Sequence, residues 1–148
     1  MSIFDALTIS ASAMQAERQR AETVAANMAN AQTTRTEAGG AFHRRQVVFQ
    51  SASATPFQLA LAHQPGYAGP IPGSVSVSDV VDDPTPPVLR YEPGHPDANA
   101  DGYVAYPAIN PAMEMVDMMS AVRAYQLNAA AANATKQMIQ QSIDILKS

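Results

Sequence analysis

All seven glycines and all eleven prolines of this 148-residue chain lie between Gly39 and Pro111. These are the two strongest helix breakers, costing about 1 and about 3 kcal/mol in a helix interior, so both ends can be helical throughout and the middle cannot. The sequence therefore predicts a mainly α fold with a small β insert. An N-terminal helix is expected over 1–36, a proline- and glycine-rich β insert over 37–110, and a C-terminal helix over 111–148, with the terminal helices forming one coiled-coil domain. Charge divides along the same lines: residues 1–36 and 111–148 each carry three acids and three bases, whereas residues 37–110 carry seven acids against three bases. The net charge of −4 belongs to the insert.

Reading the ends in sevens brings out their seams. Phe4, Ala11, Arg18 and Ala25 fall on one row of the N-terminal segment, with Leu7, Met14, Ala21 and Met28 three residues further on. In the C-terminal segment the rows are Met115, Val122, Ala129, Lys136 and Ile143, then Met118, Tyr125, Ala132, Ile139 and Leu146. Heptads sustained this long, each interrupted by a single base, point to coiled-coil packing rather than to the broader apolar face of a globular helix. Alanine in both seams permits close approach. At about 1.5 Å per residue, helices of roughly thirty and thirty-six residues would be about 45 and 54 Å long, more than a compact domain of this size holds comfortably. The helices are expected to pair with each other and then with further molecules. The cluster "MEMVDMM" fits a helix seam, since Met115 and Met118 fall in register, and also fits an adaptable binding surface of polarizable side chains.

Within the insert, His43–Gln50, Gly73–Val81, Val88–Pro93 and Gly102–Pro107 have the alternation and the β-branched or aromatic content of short strands. "FQLALAH" (Phe57–His63) is a fifth, weaker candidate. One motif resembles a site. "DANADG" opens like a calcium loop, with Asp97, Asn99 and Asp101 as alternating oxygen ligands and Gly102 at the turn, but its twelfth position is Ala108 where a bidentate Glu is needed. An Asx-rich turn accounts for the same residues. His43, His63 and His95 lack metal-ligand spacing. There is no G-x-S-x-G elbow, phosphate-binding Gly loop or paired carboxylate arrangement, so neither an enzyme nor a cofactor is expected.

Composition excludes more. A pI near 5.2 without a clustered basic face argues against nucleic acid. The absence of cysteine removes disulfides, thiol nucleophiles and thiolate zinc sites. No run of eighteen apolar residues predicts membrane insertion, and "MSIFDALTIS" lacks the basic region of a cleaved signal peptide.

The N-terminal seam closes on "ANMANAQTTRT" (Ala26–Thr36), where Asn27 and Asn30 share a helix face three residues apart. Buried amides need partners, supplied either across a helix or subunit contact or, for Asn30 and the threonines, by local backbone bonding that ends the helix. The stretch "AANMANAQTT" resembles the S-N-x-A-N-x-x-T motif of the axial proteins of the bacterial flagellum, with Ala26 in place of the usual serine. The stretches "GGAFHRRQVVFQ" and "YEPGHPDANADGYVAYPAINPAMEMVDMMSAVRAYQLNAAAANATKQMIQ" narrow the resemblance to rod proteins of the basal body. That resemblance implies a structural subunit whose terminal helices pair as a coiled coil and polymerise around an export channel into a driveshaft between rotor and hook. Its partners would be other copies of itself, other flagellar rod proteins and the flagellar type III export apparatus. Its expected location is the periplasm-spanning rod, reached without a cleaved signal. The resemblance also places Asn27 and Asn30 at a helix or subunit contact. The alternative is a soluble helical adaptor or export chaperone whose β insert binds a protein partner.

Overall fold

The computed structural model describes residues 3–52 and 73–147; the candidate strand Phe57–His63 lies outside them. The fold is mainly α with a small β part. Helix α1 spans Ile3–Ala29 (27 residues) and helix α2 spans Pro111–Lys147 (37 residues). Between them come β1 (Arg45–Ser51), β2 (Val75–Asp82), β3 (Val88–Tyr91) and β4 (Tyr103–Tyr106). Each of the other four expected strands is present, within two residues of its expected bounds at every end.

Local chemistry sets the helix ends. Helix α1 stops at Ala29, short of Thr36, because Asn30 turns its side chain back: its Nδ2 donates to the Ala26 carbonyl at 2.9 Å and its Oδ1 accepts from the Thr33 hydroxyl at 3.1 Å. Such bonds compete with continuation of the helix. Helix α2 starts where Asn110 Oδ1 accepts the Ala112 N–H at 3.0 Å, with Pro111 at the first helical position. That is an N-cap followed by the one residue whose missing N–H is no loss there.

The strands form two separate pairs, β1 with β2 and β3 with β4. In the first, Asp83 N–H donates to the Arg44 carbonyl and Ala52 N–H to the Ser74 carbonyl, so the strands run antiparallel. In the second the register is Val88↔Tyr106, Leu89↔Ala105, Arg90↔Val104 and Tyr91↔Tyr103. Alternation then puts Val104, fully buried, on one face and Leu89, Tyr91 and Tyr103 on the exposed other. Tyr91 and Tyr103 meet edge to face at 5.4 Å.

By contact the chain divides into two compact units. One comprises Arg20–Val48 and Asp79–Ser120; the other comprises the described parts of Met1–Gln19, Phe49–Ser78 and Ala121–Ser148. Among the described residues, the buried apolar side chains are Val24, Ala41, Val104 and Pro107 in the first, Ala16 and Ala121 in the second. None is large. Small side chains allow backbones to approach closely but bury little area each, so polar interactions carry much of the specificity.

Candidate assembly site

The best-defined polar constellation lies in the unit Arg20–Val48 and Asp79–Ser120. It is centred on Glu114, in the first turn of α2 and 1% exposed. A carboxylate is favoured there by the helix dipole, yet burial demands partners as well. Arg44, just before β1, supplies one: its Nε donates to Glu114 Oε1 at 2.6 Å, and its Nη2 to Asp117 Oδ2 at 3.1 Å. The same guanidinium stands 4.0 Å from Asp83, just after β2. Arg20 of α1 reaches the other oxygen of Asp117 at 3.5 Å. A planar fork suits this task, since it addresses two carboxylates at once where an ammonium would act as a point charge.

Asn27 completes the arrangement and is fully buried. Its Nδ2 donates to Glu114 Oε2 at 3.0 Å and to the Arg45 carbonyl at 2.8 Å, while its Oδ1 accepts the Arg45 N–H at 2.9 Å. The side-chain amide thus pairs with the main chain of Arg45 as a neighbouring strand would, and binds α2 at the same time. Asn27 therefore bonds from α1 to α2, whereas both polar side-chain atoms of Asn30 bond within its own turn.

Two neighbouring devices hold the insert. Asp97 accepts from the Thr34 hydroxyl at 2.7 Å and lies 3.8 Å from Arg35, tying its turn to the segment after α1. Asn99 Oδ1 accepts the N–H groups of Asp101 and Tyr103 at 3.0 and 2.8 Å, so "DANADG" is an Asx turn in which Asn99 caps the entry to β4. His95 Nδ1 accepts the Asp97 N–H at 3.1 Å, while His43 is exposed. Two groups have shifted acidities. Asp83 is held below its ordinary 3.8, first by the Thr85 hydroxyl and N–H, with Gln46 and Arg44 adding to this against desolvation. Tyr106 is raised above its ordinary 10.0, chiefly because its hydroxyl donates to Glu92.

The heptad rows sit elsewhere on the helices. The buried row of α2 is Glu114, Ala121 and Thr135, with half-buried Asn128 between them. Asn128 and Thr135 bond the helix's own carbonyls, of Ala124 and Ala131. The period is seven, but this row lies one residue, about 100°, from the apolar row. In that apolar row Met115 is 55% and Val122 43% exposed, Ile143 is exposed and Ala129 half-buried. Of the second row, Tyr125 is exposed and Met118, Ala132 and Ile139 are half-buried, the side chain of Leu146 lying outside the described residues. On α1, Phe4 is exposed, Leu7, Met14, Ala21 and Met28 are half-buried, and the buried positions are Ser10, Ala16, Val24 and Asn27. Within the chain, burial falls on small and polar residues, while the large apolar ones flank it or face outward.

Reading for apolar periodicity passed over Glu114, Asp117, Arg44 and Arg20. A signal was present: an acid in the first turn after Asn-Pro, heading a seven-residue spacing of small or polar residues.

Among the described residues, no helix is long and apolar enough to cross a membrane. Two family profiles match the chain: "Flagella basal body rod protein" over residues 7–35 and "Flagellar basal body rod FlgEFG protein C-terminal" over residues 100–145. They cover most of α1 with the turn after it, and β4 with most of α2. Over nearly the full length, the chain is 39% identical to the flagellar basal-body rod protein FlgC of Bacillus subtilis, covering 99% of this chain and 100% of the relative. It is 37% identical to FlgC of Escherichia coli O157:H7 (98% of each chain) and 32% identical to that of Borreliella burgdorferi (99% of each). Matches of this identity over nearly the whole of both chains place the chain in the FlgC family of flagellar basal-body rod proteins.

Proposed function

We infer that the chain is a structural, non-enzymatic subunit of the flagellar basal-body rod, assembling with copies of itself and with other rod proteins. The observation that carries this reading is the mismatch between the buried and the apolar rows of α2. A lone globular chain gains by turning its largest apolar side chains inward. Here Met115 and Val122 stay exposed while Glu114 and Ala121 are buried. Burying a Val or Met side chain is worth about 1.5–3 kcal/mol, and that free energy is left for contacts with other molecules.

In this reading the terminal helices, 1–36 and 111–148, act as one coiled-coil domain with the 37–110 insert as an appendage. Phe4, Leu7, Met14, Ala21 and Met28 of α1, with Met115, Met118, Val122, Tyr125, Ala129, Ala132, Ile139, Ile143 and Leu146 of α2, supply helix and subunit contacts. Asn27 and Asn30 mark the end of that surface on α1. The polymer surrounds the export channel and transmits torque from rotor to hook. The subunit reaches it through the flagellar type III export apparatus. Two experiments bear on this. The chain should co-purify with hook–basal bodies; retention in the soluble cytosolic fraction of cells with complete rods would sink the reading. Cells carrying Val122→Asp, an unpaired charge on the exposed row, should export the subunit yet fail to build rods, and normal rods would show that this row is not the assembly surface.

A further inference from the structure

Sulfur chemistry in this chain rests entirely on methionine, because there are eight methionines and no cysteine. Their settings differ. Met115 and Met119 are 55% and 51% exposed and lie four residues apart, so their thioethers are neighbours one turn apart on α2. Val116 and Val122 extend the same exposed apolar face. Met118, between the two in sequence, is half-buried, as are Met14 and Met28 on α1. Met113 and Met138 are 61% and 52% exposed but have no methionine one turn away on α2, so among the described residues only Met115 and Met119 form an exposed pair.

We propose that Met115 and Met119 form a peroxide-reactive modification site whose oxidation blocks assembly of the subunit, an inference that rests on the assembly reading of this face. A thioether sulfur attacks one peroxide oxygen, the O–O bond breaks as the S–O bond forms, and the second oxygen leaves as hydroxide that takes up the proton of the first, giving water and a neutral sulfoxide. Sulfur loses two electrons and the peroxide gains them. The product is a methionine sulfoxide, which turns a flexible apolar side chain into a polar acceptor and is reversed by methionine sulfoxide reductases. Two sulfoxides one turn apart would place two strong acceptors in the middle of the face defined by Val116 and Val122. Once that face is covered in a polymer neither acceptor has a donor, so oxidation should penalise association much more than it penalises the isolated fold. Exposure makes the pair reactive before assembly, and assembly would protect it.

The chemical test uses the full-length purified chain and hydrogen peroxide, with peptide mass mapping over time. Met115 and Met119 should gain oxygen several-fold faster than Met118, Met14 and Met28, and treatment with methionine sulfoxide reductases should return their masses. Equal rates at exposed and half-buried methionines would overturn the proposal. The functional test compares cells carrying Met115→Leu with Met119→Leu against cells carrying Met115→Gln with Met119→Gln, which fixes a polar group at both positions. Rods built by the Leu pair but not by the Gln pair, at equal subunit levels and equal exported amounts, are the expected result. Val122→Asp, on the same face but without sulfur, separates the two ideas. Normal rods in Val122→Asp cells would sink the assembly reading. Blocked rods there, with normal rods in the Gln pair, would sink the oxidation proposal alone.

Discussion

Replacing Asn27 by Ala tests the physical account of the fold most directly. The substitution removes three hydrogen bonds at once: from Nδ2 to Glu114 and to the Arg45 carbonyl, and from the Arg45 N–H to Oδ1. Glu114 keeps Arg44. Arg45 loses partners for both its main-chain groups. A buried polar group left without a partner costs about 1–3 kcal/mol; the two Arg45 groups are only part-buried and open to water, so the low end, about 2 kcal/mol for the pair, is expected. Against a typical total stability of about 5–15 kcal/mol, that is a large fraction. Asn27→Asp should be worse. It retains an acceptor for the Arg45 N–H but replaces the donor by an oxygen facing both a carbonyl and the Glu114 carboxylate. Asn30→Ala is the control, since Asn30 is half-buried and bonds only within its own turn. The assay is urea unfolding followed by far-ultraviolet circular dichroism, appropriate for a chain without Trp, together with hydrogen exchange at the Arg45 amide. The expected order of loss is Asn27→Asp, then Asn27→Ala, then Asn30→Ala, with Arg45 exchange accelerated only by the first two. If Asn27→Ala unfolded within about 0.5 kcal/mol of the parent, the range typical of surface substitutions, and Arg45 exchange were unchanged, the pairing of this side chain with the main chain would carry no stability.

Arg44→Met leaves the buried Glu114 carboxylate without its cation and should cost about 3–5 kcal/mol in urea unfolding, whereas adding Glu114→Gln should recover part of that loss; an additive double variant would contradict the pairing. Gly102→Ala should lower stability by at least about 1–2 kcal/mol, because Gly102 has φ +78° and a Cβ there would lie 2.9 Å from Tyr91 Cε2 and 3.2 Å from Pro93 Cβ. Gly94→Ala, with nothing within 4 Å and no positive φ, should be close to neutral in the same urea unfolding. Asp83 has a folded pKa below its ordinary 3.8, so its contribution is complete above that value and disappears as pH falls through the lowered folded value. Asp83→Asn should therefore be less stable than the parent at neutral pH and show a shallower decline of melting temperature below pH 3.8; parallel acid limbs would refute the assignment.

Much of the architecture was legible without coordinates. The confinement of Gly and Pro to 39–111 left room for two helices and little else at the ends. Four strands could be read because β-branched and aromatic residues alternate there between turn formers, and the Asx turn because Asn99 and Gly102 have local conformational preferences that need no tertiary partner. Even the sevenfold repeat was visible. What could not be read was which way each repeat faces. Periodicity identifies rows, and apolar content ranks them, on the assumption that the most apolar row is the one the chain buries. On α2 that row is exposed at Met115, Val122 and Ile143, and the one turned inward, buried at Glu114, Ala121 and Thr135 and half-buried at Asn128, is small or polar. Its burial depends on partners distant in sequence: Arg44 lies 70 residues before Glu114, and Asn27 87 residues before it. A carboxylate at position 114 reads as a solvated residue until tertiary structure brings a guanidinium and an amide to it, because only those donors offset its desolvation. Helix and strand formation are governed by local propensity and so are written in consecutive residues. The facing of the helices is governed by long-range polar pairing, and only the folded chain decides it.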